Sequence, residues 1–250
     1  MCSSDLGSLG ARLGHWQSGA SVRAALGRQV DRGACRIWFG AGIDPQEAGL
    51  LAEDCQRWLP ELSRYLGAPL PTHLEVLLFA DSASKAWLTG ASRTQIAKPW
   101  LREIYLERDG FPHPTLGHEL AHVVSAGVGP WPLRVAGGLG GLLPDPGLIE
   151  GAAVAAAPNS EEADGAEAAA TLLRLGLLPK LENLFGFSFF GSNSSVAYEA
   201  SGAFVSWFRD RYGGPALARW YGGERLERLT GATLSTLEAE WHQSLRSEIG

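Results

Sequence analysis

Apolar residues in this chain recur first in short strand-like runs and later with a helical period near 3.6. Ala34–Gly40 and His73–Ala80 are brief apolar runs bounded by turn residues, and both read as strands. Between them, Pro45–Leu66 sets Leu50, Leu51, Cys55, Trp58, Leu59 and Leu62 on one side of a helix, with Pro60 as a kink or boundary. Ser82–Leu88 reads as a short helix capped by Asp81 or Ser82. Glu103–Glu107 alternates polar and apolar side chains before the turn signal Asp109-Gly110. That alternation predicts a half-exposed strand, with a sheet edge as its expected place.

From Pro114 onwards the pattern turns helical. Pro114–Ala126, Leu148–Ala157, Ala163–Leu175 (with Glu161-Glu162 leading in), Val196–Tyr212 and Ser235–Ile249 are the predicted helices. Gly213-Gly214-Pro215 stops the fourth, and the fifth repeats Leu234, Leu237, Trp241 and Leu245 on one face. Gly137–Gly147 reads as a flexible loop, and residues 1–33, rich in Gly and Ser, as a linker or frayed lead-in. Strands followed by helices make the chain α+β: a sheet lobe together with the Pro114–Ala126 helix over 34–126, and a mainly helical lobe over 127–250.

Composition narrows this picture without redirecting it. The 250 residues, 45% hydrophobic and 19% charged, suffice for an ordered core. A net charge of −6 with scattered basic residues gives no support to nucleic-acid binding. Lysine occurs only at Lys85, Lys98 and Lys180, an arginine bias that suggests a GC-rich bacterial genome. No run of about 18 uncharged apolar residues is present, so no membrane span is expected. Cys2-Ser3-Ser4-Asp5-Leu6 resembles a translated sequencing adapter. The expectation is therefore that the natural N-terminus is missing, together with any export signal or anchor it carried. On that expectation the protein works outside the cytoplasm or at a membrane, and otherwise in the cytoplasm. Cys35 and Cys55 lack CxxC spacing; two buried free thiols are expected, with a strand-to-helix disulfide as the alternative.

The chemistry concentrates in His118-Glu119-Leu120-Ala121-His122. On a helix, residues four apart share a face, so both imidazoles can reach one Zn²⁺ with Glu119 beside the metal-bound water. Thr115 and Gly117 stand where such a helix would start, and Leu116, Leu120, Val123 and Val124 supply its buried stripe. A chance HExxH in a chain like this one is on the order of a one-in-a-hundred event. Two histidines do not complete a catalytic zinc site, which uses three protein ligands and a water. Asp145, Glu150, Glu161, Glu162 and Glu167 are the downstream acids. Glu150 fits best, because it opens an Ala-rich buried helix where an uncompensated carboxylate would be costly. A helix-start carboxylate favoured by the dipole is the plainer alternative.

Taken together, His118-Glu119-x-x-His122 and Ile149-Glu150-Gly151-Ala152 resemble the gluzincin zinc peptidases. That group includes thermolysin and the aminopeptidase-N-like enzymes, and the bacterial peptidase MA-like domains look closer still. The strand Glu103–Glu107, the segment Tyr198–Val205 continuing to Arg211-Tyr212-Gly213, and the tail from Leu229-Thr230-Gly231 to Glu240-Trp241 extend the likeness from about Ala34 to the C-terminus. The resemblance implies a zincin-like fold with an edge strand over the active-site helix, and one Zn²⁺ held by His118, His122 and Glu150. It implies Glu119 as general base and Tyr198 as oxyanion donor; an amphipathic core tyrosine is the competing reading of Tyr198. His113, outside the helix, reads as a surface loop residue and a secondary donor candidate. Glu103, Ile104, Tyr105, Leu106 and Glu107 would bind an extended peptide substrate by edge pairing, unless the fold covers that edge. Three features depart from the pattern. The 28-residue interval from His122 to Glu150 exceeds that of aminopeptidases, no Gly-x-Met-Glu-Asn motif precedes the helix, and the Tyr198–Gly202 spacing is one residue longer.

The expected activity is zinc-dependent peptide hydrolysis. One alternative is a catalytically idle gluzincin-like domain that binds peptides or partners within a membrane-associated protein. Another is a deformylase-type hydrolase, for which neither Cys35 nor Cys55 stands in a suitable segment.

Overall fold

The computed structural model describes residues 17–92, 94–158, 165–185 and 194–247. Five strands form one mixed sheet: β1 (Arg28–Arg32), β2 (Cys35–Phe39), β3 (Leu74–Phe79), β4 (Ile96–Lys98) and β5 (Glu103–Glu107), in the order β1-β2-β3-β5-β4. β2, β3 and β5 run parallel, while β1 and β4 pair antiparallel at the two edges. Helices α1 (Gly19–Leu26), α2 (Pro45–Leu66) and α3 (Ser82–Thr89) belong to this half. A mainly helical part follows, as the order of strands and helices in the sequence predicts.

Alternation along each strand feeds two cores. On one face, Cys35, Ile37 and Phe39 of β2, Val76 and Leu78 of β3, and Ile104 and Leu106 of β5 join the main core. On the other, Leu77, Phe79 and Tyr105 pack with Val22 and Leu26 of α1. This second cluster corrects two expectations. Residues 19–32 are a helix and a strand rather than part of a linker, while residues 1–16 lie outside the described residues. β5, in turn, is buried and interior rather than half-exposed at an edge. Glu103 is accommodated there because Arg23 of α1 donates to it at 2.7 Å and the Tyr105 hydroxyl donates to its other oxygen at 2.7 Å.

Asp44 caps α2 by accepting from the Gln46 amide at 2.8 Å, and Gly67 ends it in the left-handed conformation at φ 63°. Pro60 sits within the helix without ending it. The buried stripe runs through Leu51, Cys55, Leu59 and Leu62, whereas Leu50 falls on the exposed side. Cys35 and Cys55 are joined by a disulfide, which corrects the expectation of free thiols and fastens β2 to α2.

In the helical part, α4 (Leu116–Ser125) lies against α2. A Cβ at Gly117 would stand 2.9 Å from the Trp58 ring, so glycine permits this close approach. α5 (Pro146–Ala156) crosses α8 (Ser194–Tyr212) equally tightly, with Gly151 against Ser201 and Gly202 against Val154. Among the described residues, α6 (Gly165–Arg174), α7 (Leu181–Leu184), α9 (Gly214–Tyr221), α10 (Leu226–Thr230) and α11 (Leu234–Ser247) also belong to this part. Phe204, Phe208, Trp220 and Trp241 form its aromatic centre. Glu161-Glu162, the expected helix start at Ala163 and the expected end at Ile249 lie outside the described residues. The Gly137–Gly147 segment is an ordered turn rather than a loose loop. Gly137–Gly138 pairs with Leu143–Pro144 around Leu139, Gly140 and Gly141, all at positive φ. No helix among the described residues is long and apolar enough to cross a membrane.

The disulfide closes a loop with a sequence separation of 20, and for a loop of that order the chain-entropy gain is roughly 3 kcal/mol. Replacing both cysteines with alanine should lower Tm by about 5–10 °C relative to the oxidised protein. Equal melting curves for the two proteins would refute the bond.

Candidate metal centre

α4 is built to present one polar edge from an otherwise apolar helix. Leu116, Leu120, Val123 and Val124 face the core, while His118 and His122, one turn apart, point the other way with Glu119 between them in sequence. The third group arrives from α5. Asp145 caps this helix by accepting from the Leu148 amide at 3.1 Å, and Pro146 opens it, so Glu150 falls on its second turn.

The three side chains converge on one point. His118 Nε2 and His122 Nε2 are 3.2 Å apart, and Glu150 Oε2 lies 3.3 Å from the first and 3.5 Å from the second. A tetrahedral ion bound about 2.0–2.1 Å from each donor spaces the donors about 3.3–3.4 Å apart. The observed triangle therefore has the size of one tetrahedral face. Two imidazole nitrogens and one carboxylate oxygen could hold a single small divalent cation at the wall of the cleft that all three residues line.

Charge and burial are closely balanced at this point. Burial works to raise the Glu150 carboxyl, but hydrogen bonds from His118 and His122, and their charges, bring it down to about 2. For His122, burial disfavours the charged ring, yet Glu150 and Glu119 outweigh it and shift its pKa upwards. Glu119 is only 7% exposed, and burial raises its pKa against the pull of His122, His118 and Lys85, with Glu150 adding to the rise. Tyr198 is also raised, by burial first and then by Glu150 and Glu119, so its phenol stays protonated and able to donate.

The cleft around these groups has a volume of about 600 Å³. His118, Glu119, His122, Glu150 and Tyr198 all line it, so the structure brings these five expected site residues together. None of Glu103, Ile104, Tyr105, Leu106 or Glu107 lines it, because β4 covers the outer side of β5. The edge strand next to the HExxH helix is instead β4, whose Ile96 and Ala97 form the facing wall together with Thr94, Gln95 and Trp100. This wall was missed because three residues are too few to show a period; the proline directly after Ile96-Ala97-Lys98 was the available signal of an edge strand. His113 is not a surface residue either. It is 5% exposed, its Nε2 is 2.8 Å from the Glu107 carbonyl oxygen, and its Nδ1 accepts from the Thr115 amide at 3.3 Å. Its role is to fix the turn that leads into α4.

Compared with protein-family models and with curated proteins, the chain matches none, so the reading of this centre rests on its own geometry.

Proposed function

We propose that the chain is a zinc-dependent metallopeptidase of gluzincin type, with Zn²⁺ held by His118, His122 and Glu150. The observation that carries the reading is the 3.2–3.5 Å triangle of ligand atoms, with a buried glutamate and a tyrosine in the same cleft. Two imidazoles with one carboxylate are a donor set that suits zinc.

When bound, the ion supplies Lewis acidity, lowering the pKa of a water towards about 7 and polarising the scissile carbonyl. Glu119 is the general base: its carboxylate takes the proton of the attacking water and then delivers it to the leaving amine. Burial raises its pKa above the ordinary carboxylate value in the metal-free site. Tyr198 donates its phenolic O–H to the developing oxyanion. An extended peptide pairs with the outer backbone edge of β4, the last strand of the sheet, and lies across α4. This replaces β5 as the substrate-binding strand. The Cys35–Cys55 disulfide supports an oxidising site of action outside the cytoplasm. An idle peptide-binding domain is the competing reading, and the retained Glu119 argues against it.

Purified protein should contain about one Zn²⁺ per chain, lost in His118→Ala and Glu150→Ala, as measured by elemental analysis. Well-folded wild type without bound metal would sink the assignment. Glu119→Gln should keep its zinc and lose about 10²–10⁴-fold in kcat against a peptide library read by mass spectrometry. Cleavage at the wild-type rate by that variant would rule out the mechanism. For Tyr198→Phe, kcat should fall about 10²-fold with KM nearly constant; an unchanged kcat would return Tyr198 to a packing role.

A further inference from the structure

Lys85 carries an amino group into the interior at a position that the proposed chemistry does not use. It sits on α3 and is 0% exposed. An ammonium is costly to bury unless its hydrogens find acceptors. Its Nζ donates to the Thr94 carbonyl oxygen at 2.5 Å and to Gln95 Oε1 at 2.9 Å. The same Gln95 oxygen accepts from the Glu107 amide at 2.9 Å.

These bonds link three elements. Glu107 ends β5, Thr94 and Gln95 lead into β4, and Lys85 anchors both to α3. The β4–β5 ladder spans only three residue pairs, Ile96 with Tyr105, Ala97 with Ile104 and Lys98 with Glu103. So short a ladder holds a strand weakly, and an edge strand has no second neighbour to help it. Thr94, Gln95, Ile96 and Ala97 are also the residues that form the cleft wall. The buried amine therefore braces a wall of the cleft whose own strand pairing spans only three residues.

We propose that Lys85 is a positioning residue: by gripping Thr94 and Gln95 it sets the edge strand on which an extended peptide substrate is bound. This role rests on the peptidase reading above. A methionine of similar length would fill the space but leave the Thr94 carbonyl oxygen without its buried donor. Gln95 would then be held by the Glu107 amide alone. The rim would loosen while His118, Glu119, His122 and Glu150 stayed in place, since none of these is hydrogen-bonded to Lys85; its charge reaches Glu119 only at a distance, the smallest of the influences on that carboxyl.

The test uses wild type and Lys85→Met in the zinc-loaded protein. Hydrogen exchange over residues 94–98 should quicken by about 10-fold or more, with 116–125 unchanged. On the best peptide found in the library, KM should rise about 10-fold with kcat within about threefold and full zinc content. Unchanged exchange over 94–98 overturns the proposal, as does a loss confined to kcat. If Lys85→Met does not fold, Gln95→Leu cuts the link to β5 and keeps Lys85 on Thr94; it must shift exchange and KM in the same direction, or the proposal falls. A wild type that binds zinc but cleaves nothing overturns the peptidase reading and the substrate role of Lys85 with it. A wild type that cleaves, beside a Lys85→Met with wild-type exchange and KM, overturns the role of Lys85 alone.

Discussion

Two imidazole nitrogens and a carboxylate oxygen held within 3.5 Å of one another, in a partly dry cleft, are the constraint around which the helical part is arranged. Such groups lose solvation when brought together, and the cost is offset only if they share a positive charge. A proton supplies part of that compensation, as the lowered Glu150 and raised His122 show. A divalent cation would supply more, and the triangle has the size of one face of a tetrahedral site. Two close helix contacts hold that spacing. α4 rests on α2 through the missing side chain of Gly117 against Trp58, and α5 rests on α8 through Gly151 and Gly202. A displacement of about 0.5 Å in either helix would be enough to leave the donor triangle the wrong size for a tetrahedral ion.

Those two supports are independent, and the pair of histidines depends on only one of them. His118 and His122 come from a single helical turn, so their separation is fixed by the backbone. Glu150 is the variable member of the triangle, because it belongs to α5 and follows α8. Substitution at the α5–α8 crossing should therefore act on metal affinity through Glu150 alone, whereas strain at Gly117 moves both histidines together. Gly202 is the tighter contact of that crossing: a Cβ there would lie 2.5 Å from Val154.

How much of this was legible in the sequence depended on the range over which each signal acts. The HExxH pair is a local, one-turn pattern, and α2 and α4 carry strong helical periods, so their limits were read within a residue or two. Glu150 was found by a different kind of argument, a carboxylate in a stretch too apolar to leave it unpaired. Failures came where burial depends on a partner distant in sequence. β5 looked half-exposed because Glu103 and Tyr105 are polar on the face that α1 covers, and α1 itself hid in a Gly- and Ser-rich lead-in. β4 is too short to announce itself. Cys35 and Cys55 show no motif spacing, and only the packing of α2 on β2 brings them together.

The disulfide then has a meaning beyond stability. It joins β2 to the middle of α2, one turn before Trp58, and Trp58 is the surface on which Gly117 of α4 rests. The chain of contacts from Cys35 to His118 thus passes through one covalent bond, one helix turn and one glycine contact. The opposite wall of the cleft reaches the same sheet by a separate route, through β5, Gln95 and Lys85. The HExxH helix α4 and the cleft-wall strand β4 are therefore both referenced to the parallel strands β2, β3 and β5. Their separation, which sets the width of the cleft, is held through the sheet and through the packing of β4 against α4.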